Sequence, residues 1–204
     1  HEIRLHEHSR RQVAKTTGYR YQDQVQVNTL ADTLLERAGK EKIAARVTQP
    51  LQGLKVVTYY GCLLTRPPQV TEAEQPENPI ELDEIVLALG AELHDWSYKT
   101  TCCGATHSLT RPDIVLKLSG SLIDHARQAG ADLIVVACPL CHTNLDARQF
   151  QMTTQAETPP APMPVLYFTQ LVGLALGIPA GKLGIGSELV SAAPALAGAG
   201  GEAR

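Results

Sequence analysis

The sequence lacks several features that would each define a class of protein. Its 204 residues carry 18 Lys and Arg against 21 Asp and Glu, so there is no basic excess of the kind that a dedicated nucleic-acid-binding protein needs. Aromatic residues make up only 4%, so a core would consist mainly of Leu, Val, Ile and Ala. The longest apolar runs, such as 132–138 and 171–178, are too short to span a bilayer. Without a signal-peptide pattern at the start, we expect a cytoplasmic protein.

The first fifty residues contain no cysteine and predict mainly helical structure. The charged segment 1–21 is typical of a helix end followed by a connector, so we expect that a further domain precedes it in a longer protein. Residues 25–27 alternate like a short strand. Asn28 then stands where a helix N-cap belongs, and a second short helix is predicted over 40–47.

From Leu54 onward, short strands alternate with helices. The predicted strands are 54–60, 92–96, 133–137 and 165–168, and the predicted helices are 82–89, 113–129, 144–150 and 169–176. This alternation predicts an α/β fold, a Rossmann-like parallel sheet with right-handed crossovers and flanking helices. We expect a proline-rich loop over 66–79, a linker over 153–164, and a disordered Ala- and Gly-rich tail over 191–204.

All five cysteines follow a predicted strand. Ligand sites in parallel sheets lie beyond the carboxyl ends of the strands, so we expect the thiols to converge there. They are Cys62 after the first strand, Cys102 and Cys103 after the second, and Cys138 and Cys141 after the third. Thiolates are soft ligands that select iron–sulfur clusters, zinc or copper(I). The side chains of adjacent cysteines normally diverge, so Cys102 and Cys103 can reach two metals of one cluster. A zinc site needs only four ligands, so the presence of five cysteines favours a cluster over zinc.

Two other interpretations of the cysteines are possible. Free cysteine is often a buried core residue, but core filling does not explain why cysteines occur only after strands. Structural disulfides are disfavoured because the number is odd and nothing points to secretion.

The spacing C-x39-C-C-G, followed after 34 residues by C-P-L-C, resembles the cysteine-rich CCG domain. Over residues 25–186, the chain is similar to the C-terminal half of the heterodisulfide reductase B subunit. The matching stretches are LQGLKVVTYYGCLLTRPP (51–68), PENP (76–79), LGAELHDWSYKTTCCGA (89–105), CPLCHTNLDARQ (138–149) and PVLYFTQLVGLALG (164–177).

This resemblance implies a noncubane [4Fe–4S] cluster with these ligands: Cys62, Cys102, Cys103, Cys138 and Cys141. The family protein has two CCG domains in tandem, whose two clusters split a disulfide lying between them. We therefore expect a connector from a missing CCG domain over 1–50, the cluster-binding CCG domain over 51–186, and the disordered tail over 187–204.

The resemblance also implies an oxidoreductase acting on sulfur groups, whose catalytic role is to reduce or form disulfides within a complex. The sequence has no dinucleotide or P-loop fingerprint, so electrons must arrive through a partner. In the family this partner is the iron–sulfur C subunit, fed by the flavin-containing A subunit. The alternative is a zinc-binding or electron-relay CCG domain without disulfide chemistry of its own.

Four other residues near the cysteines are candidates for supporting roles. Lys99 either raises the cluster potential by its charge or is an ordinary solvated lysine. His107 and His142 either protonate a leaving thiolate or are surface or capping residues. Gly104 either lets backbone N–H groups approach the sulfurs closely or is a turn glycine.

Overall fold

The computed structural model describes residues 2–25, 27–155 and 161–198. The helices are α1 (Glu2–Leu5), α2 (Glu7–Thr17), α3 (Leu30–Arg37), α4 (Lys40–Arg46), α5 (Pro68–Thr71), α6 (Glu81–Ala88), α7 (Pro112–Gln128), α8 (Pro139–Ala147), α9 (Gln149–Gln155), α10 (Phe168–Ala175) and α11 (Ala193–Ala197). The strands are β1 (Lys55–Tyr59), β2 (Glu92–Leu93), β3 (Leu133–Val136) and β4 (Val165–Tyr167). Short 3-10 turns lie at Ala105–His107 and Ala180–Leu183.

The four strands form one parallel sheet in the order β2-β1-β3-β4, which confirms the predicted α/β architecture. The two central strands pair in register, with Val57 opposite Ile134. All four residues of β3 are buried, as expected for a parallel strand covered by helices on both faces.

Each face of the sheet has its own apolar core, because successive strand residues point to opposite sides. Val56 and Val135 face a cluster that includes residues of α6 and α10, among them Ile85 and Leu171. Val57 and Ile134 belong to the opposite cluster, with α7 and α8. Burying each such aliphatic side chain contributes about 1.5–3 kcal/mol.

The first fifty residues are mainly helical, as predicted, but two details of the prediction are wrong. The N-cap of α3 is Thr29, not Asn28: the Thr29 hydroxyl accepts a hydrogen bond from the backbone N–H of Asp32 at 3.1 Å. Val25 and Val27 do not lie in a strand and are largely exposed, because no described strand lies beside them to pair with; the residue between them is outside the described range.

Helix starts at prolines explain further differences from the predictions. Pro68 begins α5 inside the predicted loop 66–79. Pro139 begins α8 directly after Cys138, five residues before the predicted helix 144–150, and α9 extends into the predicted linker 153–164. Proline suits the first helical position, where no N–H is required for the helix hydrogen bonds.

The C-terminal segment also differs from the prediction of disorder. It contains α11, where Leu196 is buried against the same cluster as α6 and α10. Its two apolar anchors, Ala192 and Leu196, are four residues apart, so both lie on one helical face. Residues 199–204 of the predicted tail, and 156–160 of the predicted linker, are outside the described range. Among the helices described, none has the length and apolar character to cross a bilayer.

Candidate functional site

The structure brings the five cysteine side chains together beyond the carboxyl ends of the strands, which confirms the predicted convergence. The Sγ atoms of Cys62 and Cys102 are 3.9 Å apart, and those of Cys103 and Cys141 are 3.6 Å apart. Cys138 lies within electrostatic reach of Cys141. Within residues 2–25, 27–155 and 161–198, no three potential ligands already surround one point as the ligands of a single metal ion would. Four of the thiols instead form two contacting pairs, and Cys138 lies next to one of them.

Cys62 is placed by the turn that follows β1. Gly61 adopts a φ of 68°, and a Cβ atom at this position would lie 2.9 Å from the Sγ of Cys141. The backbone N–H groups of Tyr60 and Gly61 both donate to the carbonyl of Lys99, at 2.8 and 3.1 Å. These bonds fix the Cys62 turn against the loop that carries the second cysteine group, and only glycine allows the close approach to Cys141.

The second group follows β2 through a loop, since β2 has two residues rather than the predicted five. Trp96 donates from its indole to the Thr58 carbonyl at 2.9 Å, and Tyr59 donates from its hydroxyl to the Thr101 carbonyl at 2.6 Å. The loop therefore follows the edge of β1 as far as Cys102.

Gly104 completes the CCG turn. It adopts a φ of 83°, and a Cβ atom there would lie 3.2 Å from the Cα of Val115. Its N–H donates to the Sγ of Cys102 at 3.3 Å, which confirms that this glycine brings a backbone donor to a thiol. The carbonyl of Cys103 accepts a hydrogen bond from the Ser119 hydroxyl at 3.2 Å, which ties the turn to α7.

The third group occupies the start of α8. Cys138 is the N-cap residue, and Cys141 lies in the first turn. The first N–H groups of a helix have no partner within the helix, and the aligned peptide dipoles place a partial positive charge there. This environment stabilises thiolates, so α8 is well suited to hold negatively charged sulfur.

The pKa values of the two buried thiols are shifted in opposite directions. Hydrogen bonding from Cys141, with a smaller contribution from the amide of Asn144, lowers the pKa of Cys103 against the opposing effect of burial. The same hydrogen bond, together with burial, raises the pKa of Cys141. Burial and the neighbouring Cys102 raise the pKa of Cys62. A bound metal ion would favour the thiolate form of each cysteine that it contacts.

Lys99 is buried, so the prediction of a solvated lysine is wrong. Its side chain is 8% exposed, and its ammonium forms an ion pair with the carboxylate of Asp83 on α6. The ammonium also donates to the Asn78 side chain at 3.0 Å. Asp83 accepts further hydrogen bonds from the hydroxyls of Thr58 and Tyr60. The Lys99 charge is therefore balanced inside the protein, and the side chain anchors the loop that leads to the cysteine pair.

The two candidate histidines occupy different environments. His107 is exposed, in the 3-10 turn that follows Gly104. His142 points its Nε2 at the carbonyl of Val165, 3.0 Å away, and its ring stacks on Tyr167 with the centroids 4.5 Å apart. Because a carbonyl can only accept a hydrogen bond, Nε2 of His142 carries a proton and donates it to the Val165 carbonyl of β4.

Sequence reasoning missed Asn144, which is buried beside the thiols. Its amide nitrogen lies 3.7 Å from the Sγ of Cys103, and its side-chain oxygen accepts from the Ser108 hydroxyl at 3.0 Å. The spacing in the sequence could have indicated it. Asn144 follows Cys141 by three residues and therefore lies on the same face of α8, where a buried polar side chain needs a hydrogen-bond partner.

The fold and the site together define a cysteine-rich α/β domain with a thiol centre at the sheet edge. Residues 56–146 match the model of the CCG cysteine-rich domain. This region of the chain belongs to the CCG cysteine-rich domain family, and the chain is similar over most of its length to heterodisulfide reductase B subunits.

Curated relatives from an archaeon and a bacterium show how far the similarity extends. The chain is 35% identical over 175 residues to the B subunit of the ferredoxin/F420H2-dependent CoB-CoM heterodisulfide reductase of Methanosarcina acetivorans, covering 84% of this chain and 57% of that protein. It is 34% identical over 172 residues to the membrane anchor subunit of the 8-methylmenaquinol:fumarate reductase of Wolinella succinogenes, covering 84% of this chain and 60% of that protein. The chain therefore spans less than two thirds of the length of these relatives.

A solved structure shares the fold. A hypothetical protein from Helicobacter pylori superposes with a TM-score of 0.68 at 12% identity, covering 93% of this chain and 34% of that one. At this identity the likeness concerns the fold alone.

Proposed function

We propose that this chain binds a noncubane [4Fe–4S] cluster and acts as the iron–sulfur catalytic subunit of a heterodisulfide reductase-like complex. The proposed ligands are Cys62, Cys102, Cys103, Cys138 and Cys141. The observation that carries the proposal is the convergence of five thiols: four form two contacting pairs, 3.6 and 3.9 Å apart, and Cys138 lies beside Cys141. A single zinc ion takes four ligands, whereas several irons can share a larger thiolate set.

The chain's own residues suit such a cluster. Cys103 and Cys141 are buried, whereas Cys102 is exposed, so one side of the site is open to a disulfide or thiol substrate. The N–H of Gly104 and the amide of Asn144 donate to sulfur, and the start of α8 favours negative charge. When bound, the cluster would supply electrons to a disulfide one at a time.

The partners and location follow from the same proposal. Relatives named as subunits of heterodisulfide reductases support a complex, in which an iron–sulfur C subunit and a flavin-containing A subunit exchange electrons with this chain. The reaction would belong to the oxidoreductases acting on sulfur groups. The five cysteines form no disulfides, and reduced thiols are typical of the cytoplasm, where we place the protein.

The fumarate reductase relative favours a second candidate function. Its name describes a membrane anchor subunit of an enzyme whose substrates are not disulfides. A CCG domain holding zinc or relaying electrons, without disulfide chemistry of its own, would fit such an assembly.

Metal analysis of anaerobically purified protein tests the cluster. We expect about four irons with a similar amount of acid-labile sulfide per chain. One zinc with neither iron nor sulfide would refute the proposal. Loaded protein is then reduced with a viologen and mixed with the CoB-CoM heterodisulfide or simpler disulfides. Reoxidation with release of free thiol supports the disulfide chemistry, and a reduced cluster that no disulfide reoxidises supports the electron-relay alternative.

A further inference from the structure

Asn144 is a fully enclosed polar side chain with a sulfur partner. It is 1% exposed, on α8, and its Nδ2 lies 3.7 Å from the Sγ of Cys103. Cys103 is itself 2% exposed, so water does not compete for this contact. Buried amides retain their hydrogen bonds because an unsatisfied donor is costly, which makes the sulfur of Cys103 the required acceptor.

The orientation of the Asn144 amide follows from the sulfur that it contacts. The side-chain oxygen lies 3.0 Å from the Ser108 hydroxyl, whose single proton is also within reach of the Ala105 carbonyl at 2.8 Å. The guanidinium of Arg148 donates to the Ser108 carbonyl at 2.7 Å. A thiolate can only accept hydrogen bonds, so rotating the amide by 180° would set its oxygen against a negatively charged sulfur. The thiolate therefore selects the orientation with the NH2 group towards Cys103, and the amide oxygen then faces the Ser108 hydroxyl.

We infer that Asn144 raises the reduction potential of the bound cluster by donating an N–H···S hydrogen bond to Cys103. This inference builds on the proposed cluster and adds a residue that controls it. Hydrogen bonds to cluster sulfurs stabilise the more negatively charged, reduced state, and they strengthen where the surroundings exclude water. Asn144 acts through Cys103 and is a positioning residue rather than a catalytic one.

The test compares midpoint potentials, from redox titrations followed by electron paramagnetic resonance, with iron and sulfide content measured alongside. Asn144→Leu keeps similar volume without a donor. At the wild-type midpoint, we expect its reduced-to-oxidised ratio to fall about tenfold, a shift of about 59 mV for one electron. Asn144→Asp should shift further in the same direction because it adds negative charge. The matched control is Thr143→Val, an exposed neighbour on α8 whose hydroxyl contacts the Pro139 carbonyl, and it should change the ratio less than about twofold.

An Asn144→Leu protein with full iron content and a ratio within about twofold of wild type would overturn the inference. If this variant loses the cluster, Asn144→Ala decides, because it removes the donor without adding apolar bulk, and water that enters the vacated space would replace the hydrogen bond only in part. A smaller fall in the ratio in the same direction supports the inference, and an unchanged ratio overturns it. If the wild-type protein holds zinc and no iron, the metal analysis has already refuted the proposed function. A failure of the proposed function is therefore distinguishable from a failure of this inference.

Discussion

The buried ion pair between Lys99 and Asp83 leads to a prediction about stability. Their side chains are 8% and 9% exposed, and Asp83 has no other cation beside it in the contacts described above. Replacing Lys99 by Met preserves the length and most of the apolar contacts of the side chain but leaves a carboxylate buried without its countercharge. Removing one partner of a buried pair costs about 3–5 kcal/mol, because the remaining charge has already lost its water.

The same helix supplies a matched control. Glu84, the neighbour of Asp83 on α6, pairs with Lys40 at 2.9 Å, but these side chains are 34% and 53% exposed. Exposed pairs contribute only about 0–1 kcal/mol, so Lys40→Met should have a small effect. Urea unfolding of both variants under anaerobic, reducing conditions measures the two free energies directly. For a chain of this size, the loss in Lys99→Met corresponds to a fall in Tm of about 6–20 °C.

A double variant separates the cost of the stranded charge from lost packing. Lys99→Met combined with Asp83→Leu should recover part of the stability lost in Lys99→Met, because neither charge remains buried. The reasoning fails if Lys99→Met lowers the free energy of unfolding no more than Lys40→Met does. It also fails if adding Asp83→Leu to Lys99→Met lowers that free energy further, by as much as an independent core substitution would. The backbone bonds from Tyr60 and Gly61 to Lys99 do not involve its side chain, so folded Lys99→Met should still load metal.

Three further substitutions test other contacts. Cys103→Ala should remove or rearrange the cluster, and unchanged iron content with an unchanged paramagnetic spectrum would contradict the ligand assignment. Gly61→Ala places a Cβ 2.9 Å from the Cys141 sulfur at a φ of 68°, so strain of about 1–2 kcal/mol should accompany a severalfold loss of iron, and wild-type loading would refute this. Asp146→Leu removes the acceptor of two backbone N–H groups at 2.9 and 2.8 Å. It should cost about 1–3 kcal/mol and speed hydrogen exchange at those two amides, whereas unchanged exchange would show that they are held otherwise.

The convergence of the cysteines could be predicted because it follows from topology. The apolar runs around β1 and β3 identify buried parallel strands, and the carboxyl ends of such strands must meet at one edge of the sheet. The backbone donor at Gly104 was also predictable, since a glycine after two cysteines permits a φ that other residues rarely adopt.

The contacts around the cysteines were not predictable, because they join residues that are distant in sequence. Lys99 meets Asp83 from sixteen residues away, on a separate helix, and a lysine near a strand end gives no sign of burial. The amide of Asn144 meets Cys103 across 41 residues. Short helices were missed for another reason: α11 has too few residues for a periodic pattern, and it is stabilised by burying Leu196 rather than by helix propensity.

The adjacent cysteines bear most directly on the kind of centre that we propose for this chain. Cys102 is exposed and contacts Cys62, whereas Cys103 is buried and contacts Cys141. One dipeptide therefore links the two thiol pairs, with its side chains directed to different partners. A single tetrahedral ion requires four ligands to point at one centre, and a diverging fifth thiol adds nothing to it. Several irons held by the two pairs and by Cys138, which lies beside Cys141, would use every thiol, including both members of the dipeptide. This divergence is the structural reason for favouring a cluster over zinc. It also makes the iron content of Cys103→Ala informative, because this substitution removes a thiol from the buried pair and leaves its neighbour Cys102 in place.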